Sequence, residues 1–219
     1  MNLYSIITFV HVAAGFIGLL SGLIAMLAKK GNKAHNISGL TYYYSMLISS
    51  LLAIGMTLIK LNVFLLLIGI FSLYMICTAK FAIEHWQAKS EKKPSAFKIH
   101  FANAVILTGL IMMGVAVYLF IQSNGIGFIF ITFGIITAWM GLEDRIWYNK
   151  EEASKVKNKK WLIMHLGRMG GSYIAATTAF LVNNISFDPQ FVVWLAPTAV
   201  GTILITRAAN QWNKKLNLK

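Results

Sequence analysis

Charge is what this chain most lacks. Asp, Glu, Lys and Arg together make up 12% of its 219 residues, well below the roughly 25% of an average soluble domain. Acidic groups are the scarcest, seven against 20 Lys and Arg. Cysteine occurs once, as Cys77 in an apolar run, which excludes an internal disulfide and a dithiol redox pair and leaves a small buried hydrophobe. Of the three prolines, Pro94 and Pro189 fall between apolar runs and only Pro197 lies within one.

What fills the space is hydrocarbon. Hydrophobic residues are 57% of the chain, and several runs exceed the roughly 18 apolar residues that make a membrane span the default reading. A soluble core cannot enclose so many segments in a chain of this size. The sequence therefore predicts an all-α integral membrane bundle, one transmembrane domain over 1–219. The net charge of +13 sits in short segments between the runs, where it sets topology and meets anionic headgroups. No nucleic-acid reader module is present, and nucleic acid is excluded as a partner.

Seven transmembrane helices are expected, over 3–28, 36–59, 63–86, 98–121, 127–148, 161–184 and 191–208. The first has no basic region before it and no small-residue cleavage pattern after it, so it reads as a retained helix. Its Gly18 and Gly22 form a GxxxG spacing that favours close helix packing. The connectors after the first, third and fifth helices and the C-terminal tail ending at Lys219 are basic, whereas the others hold only Lys60. The positive-inside rule then puts the N-terminus outside and the C-terminus in the cytoplasm. Pro197 and Thr198 midway along the last helix mark a kink or hinge.

On that topology the polar groups gather at one face. His35 precedes the second helix, Glu84 and His85 end the third, His100 starts the fourth, Glu143 and Asp144 end the fifth, and His165 lies in the first turns of the sixth. Arg168 and Lys80 sit deeper, where a charge must face protein and a counter-charge. His165, Arg168, Ser172 and Ala176 fall on one helical stripe with Tyr173 beside it, and His35, Ser38, Gly39 and Tyr42 on another. These stripes predict a cytoplasm-facing polar pocket lined by the second to sixth helices. Imidazoles and carboxylates together are ligands for zinc or non-haem iron, so the metal-ligand candidates are His35, His85, His100, His165, Glu84, Glu143 and Asp144. Two imidazoles on opposing helices would instead clamp a haem, and Arg168, Tyr42 and Tyr173 are candidates for holding a cofactor. No HExxH, HxxxH or CxxC pattern is present. Against the ligand readings stands the ordinary one, in which interfacial histidines are solvated and Lys80–Glu84 and the Glu143 or Asp144 pairs are structural ion pairs.

Three segments carry a family resemblance. They are HVAAGFIGLLSGLIAMLAKKGNKAHNISGLTYYYSML over 11–47, His165-x3-Met169-x2-Ser172-Tyr173, and TAFLVNN…WLAPTAVG over 178–201. Together they resemble a family of predicted bacterial multi-pass membrane proteins classed as a domain of unknown function, in the versions found in Bacteroidetes-type bacteria. The resemblance implies a bacterial inner-membrane location and emphasises His11, His35 and His165, with no established activity. Where that family commonly has His-Arg, this chain has His35-Asn36 and His165-Leu166, so no arginine-dependent role carries over there.

The leading functional expectation is a pocket that binds a metal ion or haem for redox or hydrolytic chemistry on a membrane-soluble small molecule. A proton-coupled transporter using Arg168, Glu143 and the histidines as a relay is the alternative, and a non-catalytic assembly partner the third. The bilayer, a membrane-soluble small molecule and a second copy of the chain are the partners these readings admit. Whether the chain is an enzyme stays open at this level.

Overall fold

The structure, a computed structural model, describes residues 2–217. Seven α-helices follow one another: α1 Leu3–Leu27, α2 Lys33–Ile59, α3 Val63–Trp86, α4 Ala96–Ile121, α5 Gly127–Tyr148, α6 Lys159–Asn184 and α7 Phe191–Asn217. A single 3-10 turn, Glu151–Ala153, lies between α5 and α6, and no strand is present among the described residues. Six of the helices, all but α6, are long and apolar enough to cross a membrane, which is the construction of a multi-pass membrane protein.

Asparagine sets four of the helix starts. The side chains of Asn2, Asn32, Asn62 and Asn158 each accept from a backbone N–H in the first turn of α1, α2, α3 and α6, satisfying a donor that the helix itself leaves open. Asn32 therefore starts α2 at Lys33, a turn earlier than its apolar run begins. At the other extreme, α7 does not stop near Ala208 where the apolar residues end. It continues as helix to Asn217, because 209–217 contain no Gly or Pro to end it. Lys219, which closes the basic tail, lies outside the described residues.

The bundle is built from three antiparallel hairpins, α1–α2, α4–α5 and α6–α7, joined through α3, which packs against α2 and α6. Small residues let the paired backbones approach. A Cβ on Gly109 of α4 would lie 2.5 Å from the Ala138 backbone nitrogen of α5, so only hydrogen fits there. On the third hairpin Ile205 fills the hollow over Gly170, and Ile174 the hollow over Gly201. Gly18 and Gly22 of the GxxxG spacing pack as the spacing predicts, Gly18 under Met46 and Gly22 under the rings of Tyr42 and Tyr173. The apolar faces left over, such as Phe9, Phe16 and Leu20 on α1 or Val200, Ile203 and Leu204 on α7, are exposed and suit contact with lipid tails. α6 falls short of the apolarity of a span because it carries His165, Arg168 and a run of Gly, Ser and Thr. Those groups face protein, since α6 lies between α3 and α7.

Candidate functional site

Every basic connector lies at one end of the bundle, where α1, α3, α5 and α7 finish and α2, α4 and α6 begin. At this basic end the sequence-predicted residues sort into three separate neighbourhoods rather than one pocket.

The first lies between α5 and α6. Arg168 Nη2 donates to Asp144 Oδ1 at 2.6 Å and to the Met140 carbonyl at 3.2 Å. Tyr74 of α3 donates its hydroxyl to Asp144 Oδ2 at 2.5 Å, and its ring lies 5.9 Å from the guanidinium carbon. Asp144 is 0% exposed and Arg168 7%. A buried charge is tolerable when paired and hydrogen-bonded, and both oxygens of Asp144 are engaged here. Tyr148 Oη is buried beside Asp144 and makes no hydrogen bond of full geometry among the described residues. Glu143, the next residue to Asp144, is held more loosely: 3.6 Å from Lys160 Nζ and 4.0 Å from Arg168 Nη2.

The second lies where α1, α2, α3 and α6 meet. His165 Nδ1 is 2.9 Å from the Ala79 carbonyl and His35 Nδ1 2.8 Å from the Ala25 carbonyl. A carbonyl only accepts, so each ring carries its proton on Nδ1 and, when neutral, a lone pair on Nε2. His35, Lys80 and Lys30 are the electrostatic neighbours of His165. Lys30 also donates to the Ala25 and Met26 carbonyls that end α1, and burial lowers its pKa from the usual lysine value. Further in, Ser172 donates to the Met169 carbonyl at 2.9 Å, so Tyr42 donates to Ser172 Oγ at 2.7 Å. The Tyr42 and Tyr173 rings lie 6.1 Å apart over Gly22. Glu84 pairs with Lys80 at 3.7 Å on the same helix.

The third is an aromatic cap. The His85 ring lies 4.4 Å from Trp161, which stacks on Tyr148 and meets Trp147. His85 Nδ1 lies 3.0 Å from the Phe81 carbonyl and 3.1 Å from Lys98 Nζ. Trp161 donates to the Ala153 carbonyl, tying α6 to the 3-10 turn. His100 is exposed at the start of α4. On the opposite end of the bundle His11 Nδ1 bonds the Ser49 carbonyl at 2.8 Å.

Two findings bear on the expected pocket. The stripe His165–Arg168–Ser172 does not line a common space, because α6 has neighbours on several sides: His165 faces α3, Arg168 faces α5 and Ser172 faces α2. Second, the candidate ligands His35, His85, His100, His165, Glu84, Glu143 and Asp144 do not converge. Among the described residues no three His, Cys, Asp or Glu side chains come together as a metal-ligand group.

A cavity lies elsewhere than the second-to-sixth-helix pocket. A cleft of about 590 Å³ opens between α5, α6 and α7, with Phe71 and Met75 of α3 in its lining. Along α6 its wall runs from Lys160 to Ala175, about 22 Å at the helical rise of 1.5 Å per residue. Lys160, Glu143 and Arg168 mark its basic end, and Phe133, Ile136, Ile163 and Ile174 are among its apolar walls. Thr198, Thr202 and Thr206 line the α7 side at a four-residue spacing that keeps them on one face. His165, Tyr42 and Tyr173 are not part of it. Sequence reasoning missed Tyr74, Lys160 and this threonine row; only the row left a periodic signal. No family model, curated protein or solved structure matches the chain.

Proposed function

We propose that the protein is a seven-span inner-membrane protein that binds a membrane-soluble amphiphile in the cleft between α5, α6 and α7. The observation that carries this reading is the polarity of the cleft: aromatic and aliphatic walls around Phe133 and Ile174, a threonine row along α7, and a charged cluster, Arg168, Glu143 and Lys160, toward the basic end. Its volume of about 590 Å³ falls among small-molecule sites, commonly 300–1,000 Å³. The charged end lies with the basic connectors, which the positive-inside rule assigns to the cytoplasm. The polar head would then lie at the inner leaflet and the tail toward the midplane. In this reading α6 completes the membrane domain as an inner span whose polar groups are covered by α2, α3 and α5, and the bacterial family resemblance agrees with the location.

Gly167 provides the test. It lines the cleft, and a Cβ there meets nothing within 4 Å. Gly167→Phe should fill the space without disturbing the fold. Loss of amphiphile binding by Gly167→Phe at unchanged thermal stability supports the reading; undiminished binding contradicts it.

A second reading keeps a cofactor, on one observation. His35 and His165 present Nδ1 to main-chain carbonyls and leave Nε2 for a ligand, the arrangement that orients metal-bound imidazoles. The neighbouring Lys30 and Lys80 would suit haem propionates better than a bare cation. A Soret band in purified protein that disappears in His165→Ala supports it. A featureless visible spectrum, with no stoichiometric metal, argues against it.

A further inference from the structure

We propose that the occupant of the cleft carries an anionic head, a carboxylate or a phosphate, which bridges Lys160 and Arg168 in the place that Glu143 holds in this structure; the inference rests on the amphiphile reading above. Glu143 stands between two cations and is bonded to neither. Its oxygens lie 3.6 Å from Lys160 Nζ and 4.0 Å from Arg168 Nη2, beyond the 2.7–2.9 Å of a charge-assisted hydrogen bond. Its side chain is 47% exposed, so it can swing to solvent at little cost. Asp144 differs in each respect: it is wholly buried and holds Arg168 at 2.6 Å. Asp144 therefore fixes the guanidinium, and Glu143 is a resident anion that a ligand can replace.

The donors are in place for the exchange. Among the described residues the hydrogen bonds of Arg168 run from Nη2, which leaves Nη1 and Nε of a five-donor fork for a ligand. Arg168 is 7% exposed and lines the cleft, so its strength toward an anion is not diluted by water as that of a surface arginine is. Lys160 stands in the first turn of α6, where the helix dipole also favours negative charge.

The experiment is equilibrium binding of tritiated palmitate, hexadecyl phosphate and hexadecanol to the full chain in phosphatidylcholine nanodiscs. All three share one tail and differ in the head. The expected result is about tenfold tighter binding of at least one anion than of the alcohol, a difference of about 1.4 kcal/mol. Preference for palmitate alone identifies a carboxylate head and for hexadecyl phosphate alone a phosphate, while equal binding of both identifies charge as the criterion. Glu143→Gln should tighten the anion severalfold and Lys160→Gln weaken it about tenfold, each by far more than it shifts the alcohol. Equal binding of alcohol and anions, all abolished by Gly167→Phe, overturns the anionic head while leaving the cleft as the site. Binding of none of the three overturns both.

Discussion

Asp144 of α5 accepts from Arg168 of α6 on one oxygen, at 2.6 Å, and from Tyr74 of α3 on the other, at 2.5 Å. Three helices are thus held at one buried carboxylate. Removing Arg168 leaves that carboxylate without a counter-charge, and the loss of one partner of a buried pair costs about 3–5 kcal/mol. Arg168→Met should lower the unfolding midpoint in detergent accordingly. Arg168→Met combined with Asp144→Leu should recover most of the loss, because no charge is left unpaired. A double variant no more stable than the single would show that Asp144 has other support.

The two buried tyrosines beside that pair should respond differently. Tyr74→Phe deletes a hydrogen bond to a charged group, a loss of about 1.5–3 kcal/mol. Tyr148 Oη is buried beside Asp144 and makes no hydrogen bond of full geometry among the described residues, so Tyr148→Phe should cost less than Tyr74→Phe. Denaturant unfolding of the two variants side by side checks the contrast.

Packing of the second hairpin rests on Gly109. A side chain there meets the α5 backbone, with Ala138 N at 2.5 Å and Gly134 O at 2.7 Å, and backbone cannot step aside as a flexible side chain can. Gly109→Leu should cost at least the roughly 1–3 kcal/mol typical of overpacking, and reduce the yield of folded protein. Gly114, on the same helix, has nothing within 4 Å. Gly114→Leu should fold normally and gain up to about 1 kcal/mol from helix propensity. Size-exclusion profiles of both variants in detergent report the outcome.

Orientation is open to direct labelling. In a Cys77→Ala background, single cysteines at Lys89 and Lys155 mark the basic end and cysteines at Leu61 and Ser186 the opposite end. In intact cells a membrane-impermeant maleimide should modify the latter pair only, and after permeabilisation all four. The reverse pattern would move the charged end of the cleft to the outer leaflet.

Much of the helical framework could be read from residue order alone. Apolar runs located the seven helices, and asparagines before the runs account for starts such as Lys33 that hydropathy misses. The extension of α7 to Asn217 was hidden because a helix need not be apolar where it leaves the apolar layer. At the site, a stripe on one helix was legible, but which neighbour each residue meets was not. Residues 165 and 168 are separated by about 60° at 100° per residue, enough for His165 to meet α3 and Arg168 to meet α5. Adjacent acids posed the same problem. Glu143 and Asp144 were equal candidates for Arg168, yet only Asp144 faces it at hydrogen-bond distance. The cleft itself depends on α7, whose threonines carry no chemistry conspicuous enough to single them out.

Photolabelling with a fatty acid bearing a diazirine near its tail end asks whether a lipid-soluble chain lies between α5, α6 and α7. After irradiation in nanodiscs and peptide mapping, adducts should concentrate near Phe133, Ile174 and Thr198, disappear in Gly167→Phe and fall with excess unlabelled palmitate. Adducts spread over the exposed faces of α1 and α4, with no competition and no effect of Gly167→Phe, would contradict it.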